Sequence, residues 1–324
     1  MIAKILTHIS RVLVGLLFIY SGFVKLVDPI GSQYKFQEYF SEGVLNMEFL
    51  LPYTLPFSIL LIISELVLGV MLLVGYKPKL TVWSLFSLNV VFLFLTWYSY
   101  TYNKVTDCGC FGDAIKLTPK ETFYKSAILM VFIVILIKGL PHIKPLISKK
   151  ITAITTYASL FLSLVITYHV LQHLPIIDFR AYSIGTDITE GMKYQEDSDE
   201  VPPIHDFMIE TDDGDQLETM LAKDKAMLVM MYNFDSTEKD GIAAVAKVAA
   251  DAKTKGYEIY VLTASYIEDL AATQKEYNLP YTFGFCDETA LKTALRANPG
   301  IITVEKGVIV GKWNWTDADD VILK

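Results

Sequence analysis

The chain has 324 residues, of which 52% are hydrophobic and 20% charged, with a mean hydropathy of +0.38. That composition excludes intrinsic disorder and argues against an ordinary cytosolic globule, while the length allows about two domains of roughly 150 residues. Residues 1–177 hold 14 Lys and Arg against 8 Asp and Glu, residues 178–324 hold 14 against 28, and with a net charge of −8 no basic surface remains for nucleic acid.

A membrane span needs about 20 mostly apolar residues at 1.5 Å rise each. Five runs meet that length: 5–24, 55–75, 80–99, 123–140 and 151–174. The first resembles a signal peptide in its apolar stretch, but it runs into Lys25-Leu26-Val27-Asp28-Pro29 without a small-residue cleavage site and reads as a retained anchor. Lys4, Lys77, Lys79, Lys138, Lys144, Lys149 and Lys150 are concentrated in the N-terminal, second and fourth flanking segments. This density places the N-terminus in the cytoplasm. With five spans, the loop after the third helix and everything beyond the fifth then lie on the extracytoplasmic side.

Polar residues inside a span are costly and face the bundle interior. Arg11 in the first helix and Glu65 in the second come to similar depths, about 6 Å apart in level. They read either as a buried ion pair that sets helix register or as a proton-relay or ligand site. Asn89 in the third helix is placed to hydrogen-bond across helices. Trp97, Tyr98, Tyr100 and Tyr102 at the outer end of that helix form an interfacial aromatic belt.

The sharpest local feature is Asp107-Cys108-Gly109-Cys110-Phe111-Gly112-Asp113. Two thiols separated by one residue, on the oxidising side of a membrane, tend to form a disulfide. A ring that small is strained, and strained disulfides are the more oxidising ones, suited to exchange. Gly109 and Gly112 supply the permissive backbone of a tight turn. Asp107 and Asp113 act against a thiolate. A static staple, a pair of reduced thiols and two ligands of a metal site are the alternative readings; no further Cys or His follows at zinc-site spacing.

Arg11, Gly15, Ser21-Gly22-Phe23 and Lys25-Leu26, then Glu65, Gly69 and Gly75, then Cys108-Gly109-Cys110-Phe111-Gly112 together resemble the DoxX/MauE family of small bacterial membrane proteins, over about residues 5 to 140. The resemblance implies a four-helix membrane bundle, here followed by a fifth, linking helix. It also implies a role like that of MauE-type members in methylamine utilisation, where they help disulfide formation in a dehydrogenase subunit. The arrangement is similar as well to vitamin K epoxide reductase homologues fused to a thioredoxin domain. Those carry Cys-x-x-Cys in the bundle, whereas this chain has Cys-x-Cys in a loop.

Residues 178–200, ending in Glu196-Asp197-Ser198-Asp199-Glu200, read as a linker between a membrane domain (1–177) and a soluble one (201–324). Beyond it the pattern predicts a short hairpin around Gly214, a buried strand at 226–232, a helix at 237–254, a strand at 257–263 and a helix at 266–277. A strand at 281–286, a helix at 287–296 and a hairpin of strands 300–305 and 308–313 follow. This alternation indicates an α/β layer with a mixed sheet. It resembles a thioredoxin-like domain of the TlpA/peroxiredoxin type, with Pro299 at the family's cis-proline position. The place of the family's Cys-x-x-Cys reads Tyr232-Asn233-Phe234-Asp235-Ser236-Thr237-Glu238, without a thiol. Cys286 reads as a buried free cysteine or a resolving thiol.

Two functions are then open. One is a membrane thiol-disulfide oxidoreductase of the cytoplasmic membrane. In it Cys108 and Cys110 exchange with an extracytoplasmic protein and electrons leave through the bilayer, with quinone as candidate acceptor. The other is a non-catalytic accessory protein whose thiol-less thioredoxin-like domain docks a partner.

Overall fold

The computed structural model describes the chain except for residues 106–108, 195–200, 235 and 269. The chain divides into two compact units, Met1–Leu171 and Gln172–Lys324.

The first unit is helical. Helix α1 (Ile2–Val27) is followed by α2 (Pro29–Phe40), a 3-10 turn, α3 (Thr54–Val74), α4 (Pro78–Tyr102), α5 (Pro119–Lys138) and, after a second 3-10 turn, α6 (Lys149–Gln172). Four stretches, Ile2–Val27, Glu48–Val74, Pro78–Tyr102 and Lys149–Gln172, are long and apolar enough to cross a membrane. The expected span at 123–140 is also helical, as α5, but Glu121 and Lys125 enter its first turns and Lys138 closes it. Those charges set it apart from the four stretches above, but its 20 residues at 1.5 Å each reach about 30 Å, the thickness of a bilayer core.

Local chemistry sets the ends of these helices. Asp28 caps α2 by accepting from the Gly31 amide, with Pro29 at the first helical position. Thr118 and Glu121 form a reciprocal capping box at the start of α5. Gly75 ends α3 at a φ of +78°, the left-handed conformation a glycine adopts without steric cost. Apolar side chains divide between a packed interior and an outward surface. Val14, Phe18, Leu72, Val82, Leu85, Ile133 and Leu136 pack together, while Ile9, Leu13 and Leu16 of α1 and Leu60 of α3 face outwards. An apolar exterior is what lipid tails favour. Between α1 and α3 the backbones touch: a Cβ on Gly22 would lie 2.8 Å from the Leu66 amide nitrogen, and one on Gly69 2.9 Å from the Gly15 carbonyl oxygen. Small residues permit such an approach, which in lipid replaces the hydrophobic drive for association.

The second unit is built on a seven-stranded sheet of order β2-β1-β5-β4-β3-β6-β7. Its strands are β1 (Glu210–Thr211), β2 (Gly214–Asp215), β3 (Ala226–Met230), β4 (Glu258–Thr263), β5 (Thr282–Phe285), β6 (Gly300–Glu305) and β7 (Val308–Asn314). β3, β4 and β5 run parallel, β6 runs antiparallel to β3, and β7 runs antiparallel to β6. α7 (Ile188–Gly191) precedes β1, and α8 (Leu217–Leu221), α9 (Lys239–Thr254), α10 (Leu270–Tyr277) and α11 (Glu288–Ala294) lie between the strands.

Every residue of β3 is buried, so its side chains feed two cores by simple alternation. Met227 and Val229 meet Ile242, Val245 and Ala249 of α9. Leu228 and Met230 meet Tyr182, Ile188, Phe207 and Leu291 on the opposite face. The parallel βαβ core closed by an antiparallel pair, with the Asn298–Pro299 peptide bond cis just before β6, is a thioredoxin-like fold.

Tyr182 and Ile188 lie in the stretch the sequence presents as a linker, and they are buried in this unit. Asp178 is bonded by both Arg180 and Lys312, and Asp187 bridges to Val308 of β7. The charge run that signals a linker, Glu196-Asp197-Ser198-Asp199-Glu200, lies outside the described residues. Helices α2, α7 and α8, absent from the sequence reading, are short and weakly periodic.

Candidate functional site

The Cys-Gly-Cys segment lies between α4 and α5. Cys108 and Asp107 fall outside the described residues, and the turn is visible from Gly109 onward. Gly109 and Gly112 both hold a left-handed backbone, at φ +63° and +51°. The Gly112 amide donates to the Gly109 carbonyl at 3.1 Å, and that of Ala114 to the Phe111 carbonyl at 3.2 Å. A Cβ on Gly109 would sit 2.9 Å from Lys35 Cγ, so the side chain of α2 lies directly against the residue between the two cysteines.

Phe111 is buried against Tyr20, with ring centroids 5.6 Å apart, and the ammonium of Lys125 stands 4.3 Å from its centroid. Cys110 is half-buried. Asp113 is half-buried in the same turn and takes part in further polar contacts.

Under the turn runs a chain of polar groups. Ser21 Oγ donates to the Cys110 carbonyl at 2.8 Å and accepts from Lys25 Nζ at 2.8 Å. Lys25 Nζ also donates to both carboxylate oxygens of Glu65 at 2.8 Å. All three ammonium protons thereby have acceptors. Lys25 is 5% exposed and Glu65 fully buried, the setting in which removing one partner costs about 3–5 kcal/mol.

The geometry differs from the Arg11–Glu65 pair that depth along the helices suggests. Helix α1 continues past residue 24 to Val27, which brings Lys25 into the bundle one turn from Ser21 and gives Glu65 a nearer cation. Arg11 meets the C-terminal end of α3 instead. Its Nε donates to the Leu72 carbonyl at 2.8 Å, Nη2 to that of Leu73 at 2.7 Å and Nη1 to that of Lys144 at 2.9 Å. A guanidinium suits the Leu72 and Leu73 carbonyls, which lack intrahelical donors and carry the negative end of the helix dipole, while the Lys144 carbonyl belongs to the loop before α6. Asn89 donates from Nδ2 to the Ser126 carbonyl at 3.2 Å, joining α4 to α5. Of the aromatic group ending α4, Tyr98 donates to the Val44 carbonyl at 2.7 Å, while Trp97, Tyr100 and Tyr102 are exposed.

A cavity of about 50 Å³ adjoins the turn, lined among others by Lys25, Lys35, Phe36, Tyr39, Phe92 and Cys110. A quinone ring needs a pocket several times larger, since organic ligands occupy roughly 300–1,000 Å³. The residues around Cys110 therefore do not fit that acceptor.

In the thioredoxin-like unit, the loop after β3 and the cis-proline loop are tied together. Asn298 Nδ2 donates to the Asn233 carbonyl at 2.8 Å and to Ser236 Oγ at 3.1 Å. Ser236 Oγ donates back to the Asn233 carbonyl at 3.3 Å, and Phe234 stacks on Tyr277 at 5.4 Å. Among the described residues no base is bonded to Ser236. Gly241 at the start of α9 lies against Pro299 and Trp315. Cys286 is 1% exposed and burial pushes its thiol up to about 12, so it stays protonated at neutral pH. It lines a separate cavity of about 430 Å³ together with Asp206, Glu210 and Asp287. No group of His, Cys, Asp and Glu able to hold a metal ion occurs among the described residues.

The fold and the membrane helices together define a multi-pass membrane protein with a thioredoxin-like domain at its C-terminal end. Residues 3–139 match the family model of the methylamine utilisation protein MauE. The chain is similar to a thiol:disulfide interchange protein from Bacteroides sp., known as a solution structure, at 20% identity and a TM-score of 0.27, over 33% of this chain and 75% of that one. Comparison with curated proteins gives no match.

Proposed function

We propose that the protein carries out thiol-disulfide exchange on an extracytoplasmic partner protein, with Cys108 and Cys110 as the exchanging pair. The observation that carries this reading is the polar chain from the Cys110 carbonyl through Ser21 and Lys25 to Glu65. A loop that merely joined two helices would not need a buried ion pair placed beneath it. In the exchange, a partner dithiol becomes a disulfide while the Cys108–Cys110 disulfide becomes two thiols, so electrons and protons balance between the two proteins. The MauE match over residues 3–139 supports a maturation role of this type, and the lysine distribution supports the cytoplasmic membrane with the N-terminus inside.

The thioredoxin-like domain serves as a binding module in this reading. Its loop after β3 holds no thiol, and Asn298 bonds that loop to the cis-proline loop. The same observation favours a second reading, in which the whole chain is an accessory protein and the cysteines form a static link.

The two readings separate on a trapping experiment. With Cys108→Ser or Cys110→Ser expressed in cells quenched with acid, exchange predicts a mixed disulfide with a second protein, visible on a non-reducing gel and lost on reduction. Absence of any adduct from both variants would leave the accessory reading.

A further inference from the structure

The cavity beside Cys110 is too small for an organic ligand yet large enough for a few waters, each of which needs roughly 10–15 Å³ and two to four polar partners. Such partners are present: Lys25, Tyr39, Thr96 and the Gly109 backbone line it. Lys25 faces both this space and Glu65.

We propose that Lys25 and Glu65 form a proton store for the Cys110 thiol, reached through water in this cavity and held in place by Ser21. The inference rests on the exchange reading. In the step that reverses the exchange proposed above, Cys110 attacks the partner's disulfide: its S–H bond breaks and the proton passes through water to Lys25, which hands one of its own protons to Glu65, and in the forward direction the same proton returns to the Cys110 sulfur as it leaves. The sulfur electron pair forms a bond to one sulfur of the partner disulfide, whose S–S bond breaks; the leaving sulfur keeps that bond's electron pair and takes a proton from the store or from solvent. Cys110 is oxidised and the leaving sulfur reduced, and no further oxidant enters. Lys25 and Glu65 are positioning residues here, since they act through water and touch no substrate.

Other charged groups border the turn without replacing this pair. Lys35 and its partner Glu38 on α2 are each about one-third exposed. Lys125 of α5 is engaged over the Phe111 ring, and Asp113 belongs to the turn itself. Tyr39 of α2 is hydrogen-bonded with Ser99. From α4 the cavity receives only Phe92, Leu95 and Thr96, none of which titrates. Lys25 and Glu65, by contrast, are both buried and bonded to each other at 2.8 Å.

The test uses the full chain in detergent, reduced, in a Cys108→Ser background, with dipyridyl disulfide as probe and the mass of the Cys110 peptide as readout. The variant Lys25→Met/Glu65→Met replaces the buried pair with apolar side chains, a change that bundles tolerate. Its reaction at pH 7 should be about tenfold slower, with the deficit vanishing near pH 10, where hydroxide takes the thiol proton without help from the pair. Glu65→Gln, which keeps the side chain's shape and loses the proton site, should show the same pH-limited loss and serves if the double variant does not fold. Wild-type rates at every pH, or a loss by the same factor at every pH, would overturn the proposal. Failure of the exchange reading would show separately, as absence of mixed disulfides in cells whatever the pH profile.

Discussion

Single side chains in this protein take roles that their neighbours assign. Lys312 is the clearest titrating case. Burial and the nearby Arg180 charge bring its ammonium down to about 8, against the partial support of Asp178. Asp178 is itself raised by burial, but Arg180 and Lys312 outweigh this and hold it below the usual carboxylate range. For a group whose pKa is lower folded than unfolded, the folded state binds fewer protons between the two values, so stability rises with pH across that window. The second unit should therefore gain protection as pH increases from about 8 toward the usual lysine value. Asp178 gives stability that is present above the carboxylate range and lost as pH falls through its lowered value. Hydrogen exchange in β6 and β7, corrected for intrinsic rates, reads both effects, and Lys312→Met should abolish the rise above pH 8. A rise that persists in the variant would assign it to another group. Neither the Asp178 partner of Lys312 nor the like charge of Arg180 was legible in the sequence, because both sit in a polar stretch with no apolar period. Pairing across more than a hundred residues leaves no local pattern.

At the scale of elements, the contact of α1 with α3 holds the most information. Gly22 and Gly69 let the two backbones touch, and Ser21 and Lys25 are carried on the same helix. Gly22→Leu should push the helices apart, lower thermal stability in detergent by the order of 1–3 kcal/mol typical of overpacking, and lower the reactivity of Cys110 at neutral pH as its Ser21 bond loosens. Gly43→Ala, where an added Cβ meets nothing within 4 Å, should leave both unchanged. Arg11→Met removes donors from three carbonyls and should cost about 1–3 kcal/mol, read as a lower melting temperature without loss of the Cys110 bond. The helices themselves were legible because apolar length is a strong signal. Their pairing was not: ending the first helix at residue 24 left Lys25 outside the membrane and handed Glu65 the wrong cation. The strands of the second unit were read to within two residues at each end, since β3 and β4 are continuous apolar runs. The hairpin of β1 and β2 was marked by its Gly214 turn, whereas the short α7 and α8 offered too few residues for a period to show.

For the whole molecule, composition concealed two solvents. A mean hydropathy of +0.38 averages a bundle that turns leucines outward with an acidic α/β unit that buries both faces of its sheet. The sidedness proposed above makes a direct prediction: alkaline phosphatase fused after Lys324 should be active and a cytoplasm-only fluorescent reporter dark, with the pattern reversed at a fusion after Tyr76. Activity at the second site would place the cysteine turn and the C-terminal unit elsewhere. The candidate site was legible as a motif and not as a mechanism. Cys108, Gly109 and Cys110 stand together in the sequence, but the serine, lysine and glutamate that underlie Cys110 come from two other helices. The central claim is that Cys108 and Cys110 cycle between thiol and disulfide. A mass-tagged maleimide applied to acid-quenched cells before, during and after a pulse of reductant counts their free thiols directly. The account predicts no tags on the pair before the pulse, two during it and none again after recovery; a pair that keeps one state throughout would contradict it.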